Sequence, residues 1–348
     1  MTPRIHRPGH RRARPLTAAA GLAVLTIAAA ACSSASTGSA AASGGAQSAA
    51  ADVSQVTLHI GDQAGTGAQS LLTAAGLIHK LPFKVTWSDF TSGPPMLQAM
   101  ASGAVDVGGV GNSPPIFALA GGDKITIVGA QQSSPQQSAL LVPKNSPIHS
   151  ISQLRGKRIA VAQGSSADYH LFTVLKKAGL TVHDATLQYL QPPEALAALS
   201  SGHTDAWDIW SPYAEEAEAR DGARVLADGA GFGSPYGFEV ASQAALASPA
   251  KAAAVRDYMR LLYQARAWAN SHPAAWGHVW AQATGEPLAV MQSAARDSKS
   301  TPVAITPAVI TSEQQVADAF TASGLIPGHV DIAQHVDTRY NSILGSGS

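Results

Sequence analysis

An internal repeat constrains the fold of this 348-residue chain more than any other feature of it. Pro94-Pro95-Met96-Leu97-Gln98-Ala99-Met100-Ala101-Ser102-Gly103-Ala104-Val105-Asp106 returns as Pro192-Pro193-Glu194-Ala195-Leu196-Ala197-Ala198-Leu199-Ser200-Ser201-Gly202-His203-Thr204-Asp205. Leu97, Met100, Gly103 and Asp106 recur as Leu196, Leu199, Gly202 and Asp205 at a constant offset of 99 positions, with the prolines one residue out of that register. Upstream, Ala75-Gly76-Leu77 is matched by Ala178-Gly179-Leu180. Each unit therefore reads strand, helix, Ala-Gly-Leu, strand, Pro-Pro-opened helix, Ser-Gly turn, Asp-containing strand. Prolines suit a first helical turn and glycine a C-terminal cap. A shared order of so many matches implies two equivalent lobes.

The strand candidates of the first unit are Val56 to Gly61, Phe83 to Phe90, Val105 to Val110 and Ile125 to Val128. Those of the second are Arg158 to Gln163, Thr186 to Leu190, Asp205 to Trp210 and Arg224 to Ala227. Strands that alternate with helical patterns predict an α/β fold with open, mostly parallel sheets covered on both faces. Such sheets bind ligands in the crevice at the carboxyl ends of their strands. Two crevices facing each other enclose a ligand. Ser138 to Pro143 and Tyr236 to Ala241 are the expected crossing strands, with a hinge between residues 53–140 plus 242–348 as one lobe and 141–241 as the other. A helix from Pro249 to about Asn270 is the main returning element.

The crevice-facing loops should carry the chemistry. In the first lobe they offer Gln63, Phe90, Thr91, Ser92, Asn112, Ser113 and Gln131, and in the second Gly164, Ser165, Ser166, Trp207, Asp208, Trp210 and Tyr213. Most of these polar groups are neutral. Gly164-Ser165-Ser166 follows a strand and opens a helix, where free backbone N–H groups hold a small anion without a lysine or arginine. Taken singly, each Ser, Thr or Asn has a commoner use as a helix cap; their convergence on one cleft is what points to a ligand. The aromatic rings supply apolar wall for a short organic body. Alternation along a strand puts at least one of Trp207 and Trp210 in the core. Asp208 either receives an amine or is a solvated or capping carboxylate, and Asp106 and Asp205 read as structural.

With 23 basic against 23 acidic residues and 13% charged, no nucleic-acid footprint exists. The twelve histidines form no zinc spacing, the glycines form neither a phosphate loop nor a dinucleotide fingerprint, and His170 near Ser165 and Ser166 has no nucleophile elbow. The reading is of a protein without catalytic residues, metal or cofactor.

The first 31 residues read as an export signal: Arg4, Arg7, Arg11, Arg12 and Arg14 precede an apolar run from Leu16 to Ala31. The single cysteine, Cys32, follows Ala29-Ala30-Ala31 and resembles the acylated cysteine of a lipobox, although Ala29 stands where leucine is preferred. An ordinary secretory cleavage site is the alternative. Residues 32–52, rich in Ser, Ala and Gly, form a flexible tether.

From about Val56 to Val240 the chain resembles the aliphatic sulfonate-binding proteins of ABC importers, relatives of the taurine- and nitrate-binding proteins. The resemblance rests on Gly93 to Ala99, Gly111-Asn112-Ser113-Pro114-Pro115-Ile116-Phe117-Ala118, Gly156 to Ser166 and Asp205-Ala206-Trp207-Asp208-Ile209-Trp210-Ser211-Pro212-Tyr213. It implies a type II periplasmic-binding-protein fold, closure around one small anionic ligand, and delivery to a membrane permease with its ATPase. It also implies sulfonate contacts from the Gly164-Ser165-Ser166 helix start and a pocket lined by the Trp207 to Tyr213 loop; with the export signal and Cys32, the expectation is a monomer anchored to the outer face of the cell membrane. Ser211 departs from the usual Asp before Pro-Tyr, and Glu239 on the second crossing strand favours an amine-bearing ligand such as taurine. Nitrate or a thiamine-pyrimidine precursor is the alternative ligand, and a secreted enzyme on the same scaffold the alternative class.

Overall fold

The computed structural model describes residues 51–63 and 67–345. The expected signal peptide, Cys32, nearly all of the tether and Ala64-Gly65-Thr66 of the first loop lie outside the described residues. Eleven strands are described: β1 (Thr57–Gln63), β2 (Lys84–Phe90), β3 (Val107–Val110), β4 (Ile125–Ser133), β5 (Ser138–Val142), β6 (Arg158–Val161), β7 (Thr186–Tyr189), β8 (Ala206–Trp210), β9 (Arg224–Asp228), β10 (Tyr236–Ser242) and β11 (Ser300–Val303). The helices are α1 (Ala68–Ala74), α2 (Gly93–Ala101), α3 (Ser113–Ala120), α4 (Ser166–Lys177), α5 (Pro192–Ser200), α6 (Tyr213–Asp221), α7 (Gln243–Ala247), α8 (Pro249–Ser271), α9 (Pro273–Thr284), α10 (Leu288–Asp297) and α11 (Pro307–Ala322).

The strands form two open sheets, ordered β2-β1-β3-β10-β4-β11 and β7-β6-β8-β5-β9. The first five positions of the two orders correspond. In each, the fourth strand is reversed: β10 runs antiparallel to β3 and β4, and β5 antiparallel to β8 and β9, whereas β1 pairs in parallel with β2 and β3, and β6 with β7 and β8. Strand direction is therefore mixed, for a topological reason: each reversed strand is the one by which the chain arrives from the other sheet. The changes of sheet occupy residues 134–137 and 229–235, so Ser138–Val142 pairs wholly in the second sheet and Tyr236–Ser242 wholly in the first.

The repeat persists down to single hydrogen bonds. Asp106 accepts the His59 N–H at 3.0 Å and Asp205 accepts the Arg158 N–H at 2.8 Å, each across 47 positions. The carboxylates pin β3 to β1 and β8 to β6, and each has a cation, Lys251 for Asp106 and Arg158 for Asp205.

Apolar side chains cover both faces of both sheets. Leu58 and Ile60 of β1 meet Leu71 and Leu72 of α1, the buried stripe of α8 and Trp276 and Trp280 of α9. Met96 and Leu97 of α2 and Ile116 of α3 close the opposite face with Val309, Val316 and Phe320 of α11. In the second sheet, Leu171, Val174 and Leu175 of α4 cover one face, and α5, α6 and Trp207 the other. The α8 stripe follows from its spacing: Ala254, Tyr258, Leu261, Leu262, Ala265 and Ala269 recur every three or four residues and are all buried.

Glu313 breaks this apolar pattern. It is fully buried in α11, neither carboxyl oxygen has a hydrogen-bond partner, and burial pushes its pKa well above the usual carboxyl range. A group whose pKa is raised by folding stabilises fully below its unfolded pKa, and that contribution is lost as pH rises through the folded value. Glu313→Gln should therefore melt higher than the parent at pH 8 and show no such advantage at pH 4, as thermal melts across that range would measure.

Candidate functional site

A cavity of about 480 Å³ opens where the carboxyl ends of strands from both sheets meet. Gln63 at the end of β1, Gly111 and Asn112 after β3, and Gln131 near the end of β4 wall it from one side. Ser165, Ser166, Tyr169 and Trp210 wall it from the other.

The two sheets contribute helix starts of different character. At α1 the chain supplies its own anion: Asp62 accepts the N–H groups of Ala68 at 2.6 Å, Gln69 at 2.8 Å and Gln63 at 2.9 Å. Burial raises the Asp62 pKa, and these three donors work against that rise. At α4 the start is only partly used. Asp168 takes the Gly164 N–H at 2.9 Å, and Ser165 caps through its hydroxyl. The N–H groups of Ser166 and Ala167 and the Ser166 hydroxyl have no partner among the described residues. Burial, with the nearby Asp208 carboxylate, lifts the Asp168 pKa to about 6 against the pull of the Gly164 N–H.

Two glycines allow the sheets this close. A Cβ on Gly111 would stand 2.7 Å from Ser166 Oγ and 2.8 Å from Ser166 Cβ. Gly164, at φ +69°, lies under the Phe117 ring, 3.0 Å from where a Cβ would be.

Of the residues expected to hold a ligand, Gln63, Asn112, Gln131, Ser165, Ser166 and Trp210 line the cavity together. The others have structural surroundings. Thr91 and Ser92 both donate to Gln191 Oε1, at 2.9 and 2.8 Å, joining the starts of α2 and α5 directly. Ser113 is buried and donates to Asn112 Oδ1, and Phe90 packs on the α2–α3 core. Tyr213 meets Trp210 edge to face at 6.2 Å beside the α5–α6 core. Trp207 is fully buried in that core, because strand alternation points it away from the face that Asp208 occupies.

Asp208 caps no helix among the described residues and is paired with a side chain of the protein itself. It is fully buried with both oxygens 2.9 Å from His170 Nδ1, while His170 Nε2 faces the Asp228 carbonyl at 3.1 Å. Burial disfavours the charged imidazole, but the Asp208 carboxylate and the Asp228 carbonyl outweigh it and raise the His170 pKa. With both nitrogens committed, this pair is a structural strut.

Apart from Glu239, the residues that wall the cavity from α8, α9 and the chain after α10 carry no motif in the sequence. Glu239 lines the cavity, with one carboxyl oxygen held by Arg266 at 2.7 Å and the other without a partner among the described residues. Tyr258, Trp276, Trp280 and Ser298 line it too. A legible signal existed for Arg266: it lies eight residues after Tyr258 and four after Leu262 on the buried stripe of α8, a charge on an apolar helix face.

Among the described residues no helix is long and apolar enough to cross a membrane, and no His, Cys, Asp and Glu cluster could hold a metal ion. Residues 75–267 match the family model described as ABC transporter, phosphonate, periplasmic substrate-binding protein. A relative from Escherichia coli (strain K12), named for aliphatic sulfonates, is 33% identical over 292 residues, 83% of this chain and 91% of its own length. The alkanesulfonate-binding protein SsuA from Xanthomonas axonopodis pv. citri, solved bound to MOPS, is 35% identical with a TM-score of 0.74, over 81% of this chain and 98% of that one. The desulfurization enzyme DSZB, 18% identical with a TM-score of 0.60 over 84% of this chain and all of its own, shares the fold. Matched over most of its length in sequence and in strand arrangement, the chain belongs to the periplasmic substrate-binding family of ABC transporters, alongside the aliphatic sulfonate-binding proteins.

Proposed function

We propose that this protein is the extracytoplasmic solute-binding component of an ABC importer and that it captures an organosulfonate between two lobes, residues 53–140 with 242–348 and residues 141–241. The observation that carries the reading is the α4 start, where the unpartnered backbone N–H and hydroxyl of Ser166 belong to a residue that lines the cavity, with the unpartnered N–H of Ala167 next to it in the same helix turn. A sulfonate presents three oxygens to such a site and keeps its charge at any physiological pH, so neutral donors suffice. Cys32 would be lipid-acylated and the 32–52 segment would tether the monomer near its permease. His170 and Asp208 are committed to each other, and no hydrogen bond among the described residues sets a basic group on the Ser165 or Ser166 hydroxyl, which supports binding over catalysis.

Isothermal titration against alkanesulfonates, nitrate and an aminopyrimidine tests the reading. Heat with sulfonates is expected; heat with nitrate or the pyrimidine alone would overturn it. A pH dependence should accompany binding. An anion at the α4 start favours neutral Asp168, so binding takes up a proton and affinity should rise about tenfold as pH falls from 7.5 through the Asp168 pKa of about 6. Asp168→Asn should bind tightly across the range, with the slope gone.

A further inference from the structure

Ser92 opens α2 and Gln191 opens α5, and they lie 99 positions apart, the offset of the internal repeat itself. Equivalent residues of two equivalent halves touch each other here. Gln191 Oε1 accepts the Ser92 hydroxyl at 2.8 Å and the Thr91 hydroxyl at 2.9 Å. A serine at a helix start ordinarily turns its hydroxyl back onto its own helix. Ser92 is fully buried, makes no such cap in α2, and gives its proton to the start of a helix on the other sheet.

The place of this contact gives it leverage. The chain changes sheet through residues 134–137 and 229–235, which join β4 to β5 and β9 to β10. Thr91 and Ser92 follow β2 and Gln191 follows β7, each an edge strand of its sheet. In both sheets three strand steps, about 14 Å, separate that edge from the nearest strand that carries a crossing. A rotation about the crossings that parts the sheets moves these edges furthest. We propose that Gln191 is a positioning residue for ligand capture: it fastens the outer edge of the cleft, so that the lobes rest closed and a ligand enters only when the Thr91 and Ser92 hydroxyls let go. The bonds join the protein's own side chains, and their hold is the same whatever occupies the cavity. Two hydrogen bonds to one acceptor should shift the balance toward the closed form by about tenfold. Cutting them raises the fraction of molecules that a ligand can enter and equally frees a bound ligand to leave. Rates should therefore move much more than affinity, which a residue serving only the fold of its own lobe would not produce.

Gln191→Ala should speed sulfonate association about fivefold and dissociation about tenfold in stopped-flow tryptophan fluorescence, with Kd changed by less than about threefold. Without any ligand, the radius of gyration of this variant from X-ray scattering should exceed that of the parent by about 0.5 Å. Gln191→Glu keeps an acceptor for both hydroxyls and should return rates and radius to the parent values. Thr91→Val/Ser92→Ala cuts the same bonds from the other side; combined with Gln191→Ala it should add nothing further, because neither side holds without the other. The inference rests on the two-lobe reading proposed above, and the outcomes separate them. Sulfonate heat together with parent-like rates and radius in Gln191→Ala would overturn the latch and leave that reading standing. Effects of the two cuts that multiply, or no rescue by glutamate, would overturn the latch as well. If no sulfonate gives heat, the ligand reading falls and the ligand-free scattering comparison still decides the latch.

Discussion

Replacing Gly111 with valine should weaken ligand binding by about 100-fold while leaving the ligand-free protein as stable as the parent. The side chain would have to occupy space within 2.8 Å of Ser166 Oγ and Cβ, atoms at the start of α4 on the opposite wall of the cavity. Neither wall can yield alone: Gly111 directly follows β3, and Ser166 is fixed by its helix. The clash is relieved by moving the walls apart, which breaks nothing inside either sheet but depopulates the arrangement in which, on the function proposed above, both walls hold the ligand. Apparent affinity falls by the factor by which the competent state is depleted. Gly111→Ala should show a smaller loss of the same kind. Titration calorimetry with a bound sulfonate reads the first effect and a thermal melt the second; a lower melting temperature with affinity intact would show the contact to be part of a rigid core.

The largest stability effect should come from Arg266. Glu239 has no exposed surface, and among the described residues Arg266 is the one cation paired with it, at 2.7 Å. Arg266→Leu strands a buried carboxylate and should cost about 3–5 kcal/mol, lowering the melting temperature by roughly 10 °C. The double variant Arg266→Leu/Glu239→Leu removes both charges and should recover most of that loss, since a buried ion pair adds little over apolar side chains of similar volume. The single variant should also lose less at low pH, where Glu239 escapes its isolation by taking a proton. Denaturant unfolding of the two singles and the double closes this cycle. Equal stability of Arg266→Leu and the parent would mean that water reaches Glu239.

Residue patterns alone disclosed the duplicated half, all eight of its strands to within a few residues, and the α4 start, because each depends on neighbours in sequence. Strand direction was not legible: alternation along β5 and β10 is the same whichever way the chain runs, and the reversal is set by the path between sheets. β11 is four residues long and holds Pro302, which an edge strand accepts because the donor that proline lacks can fall on the unpaired side, so it left no strand pattern to find. In the cavity, Gln63 and Asn112 could be placed from the ends of their strands. Asp208 could not, because its partner His170 lies 38 positions away on a helix and converts a plausible ligand acid into a strut. Thr91 and Ser92 read as cleft donors for the same reason that they are not: their twin position in the repeat, Gln191, reaches across and takes both hydroxyls.

The interlocked strand order also dictates a sequence of events during synthesis. β5 to β9 are consecutive, so the second sheet has all its strands once residue 228 has left the ribosome. The first sheet begins earlier yet finishes later, because β10, which lies between β3 and β4, is made only after β9. Until it arrives, β3 and β4 lack the strand that pairs with both of them, and an unpaired strand edge invites mispairing. The half of the chain translated first is thus the half that depends longest on being kept from the wrong neighbour.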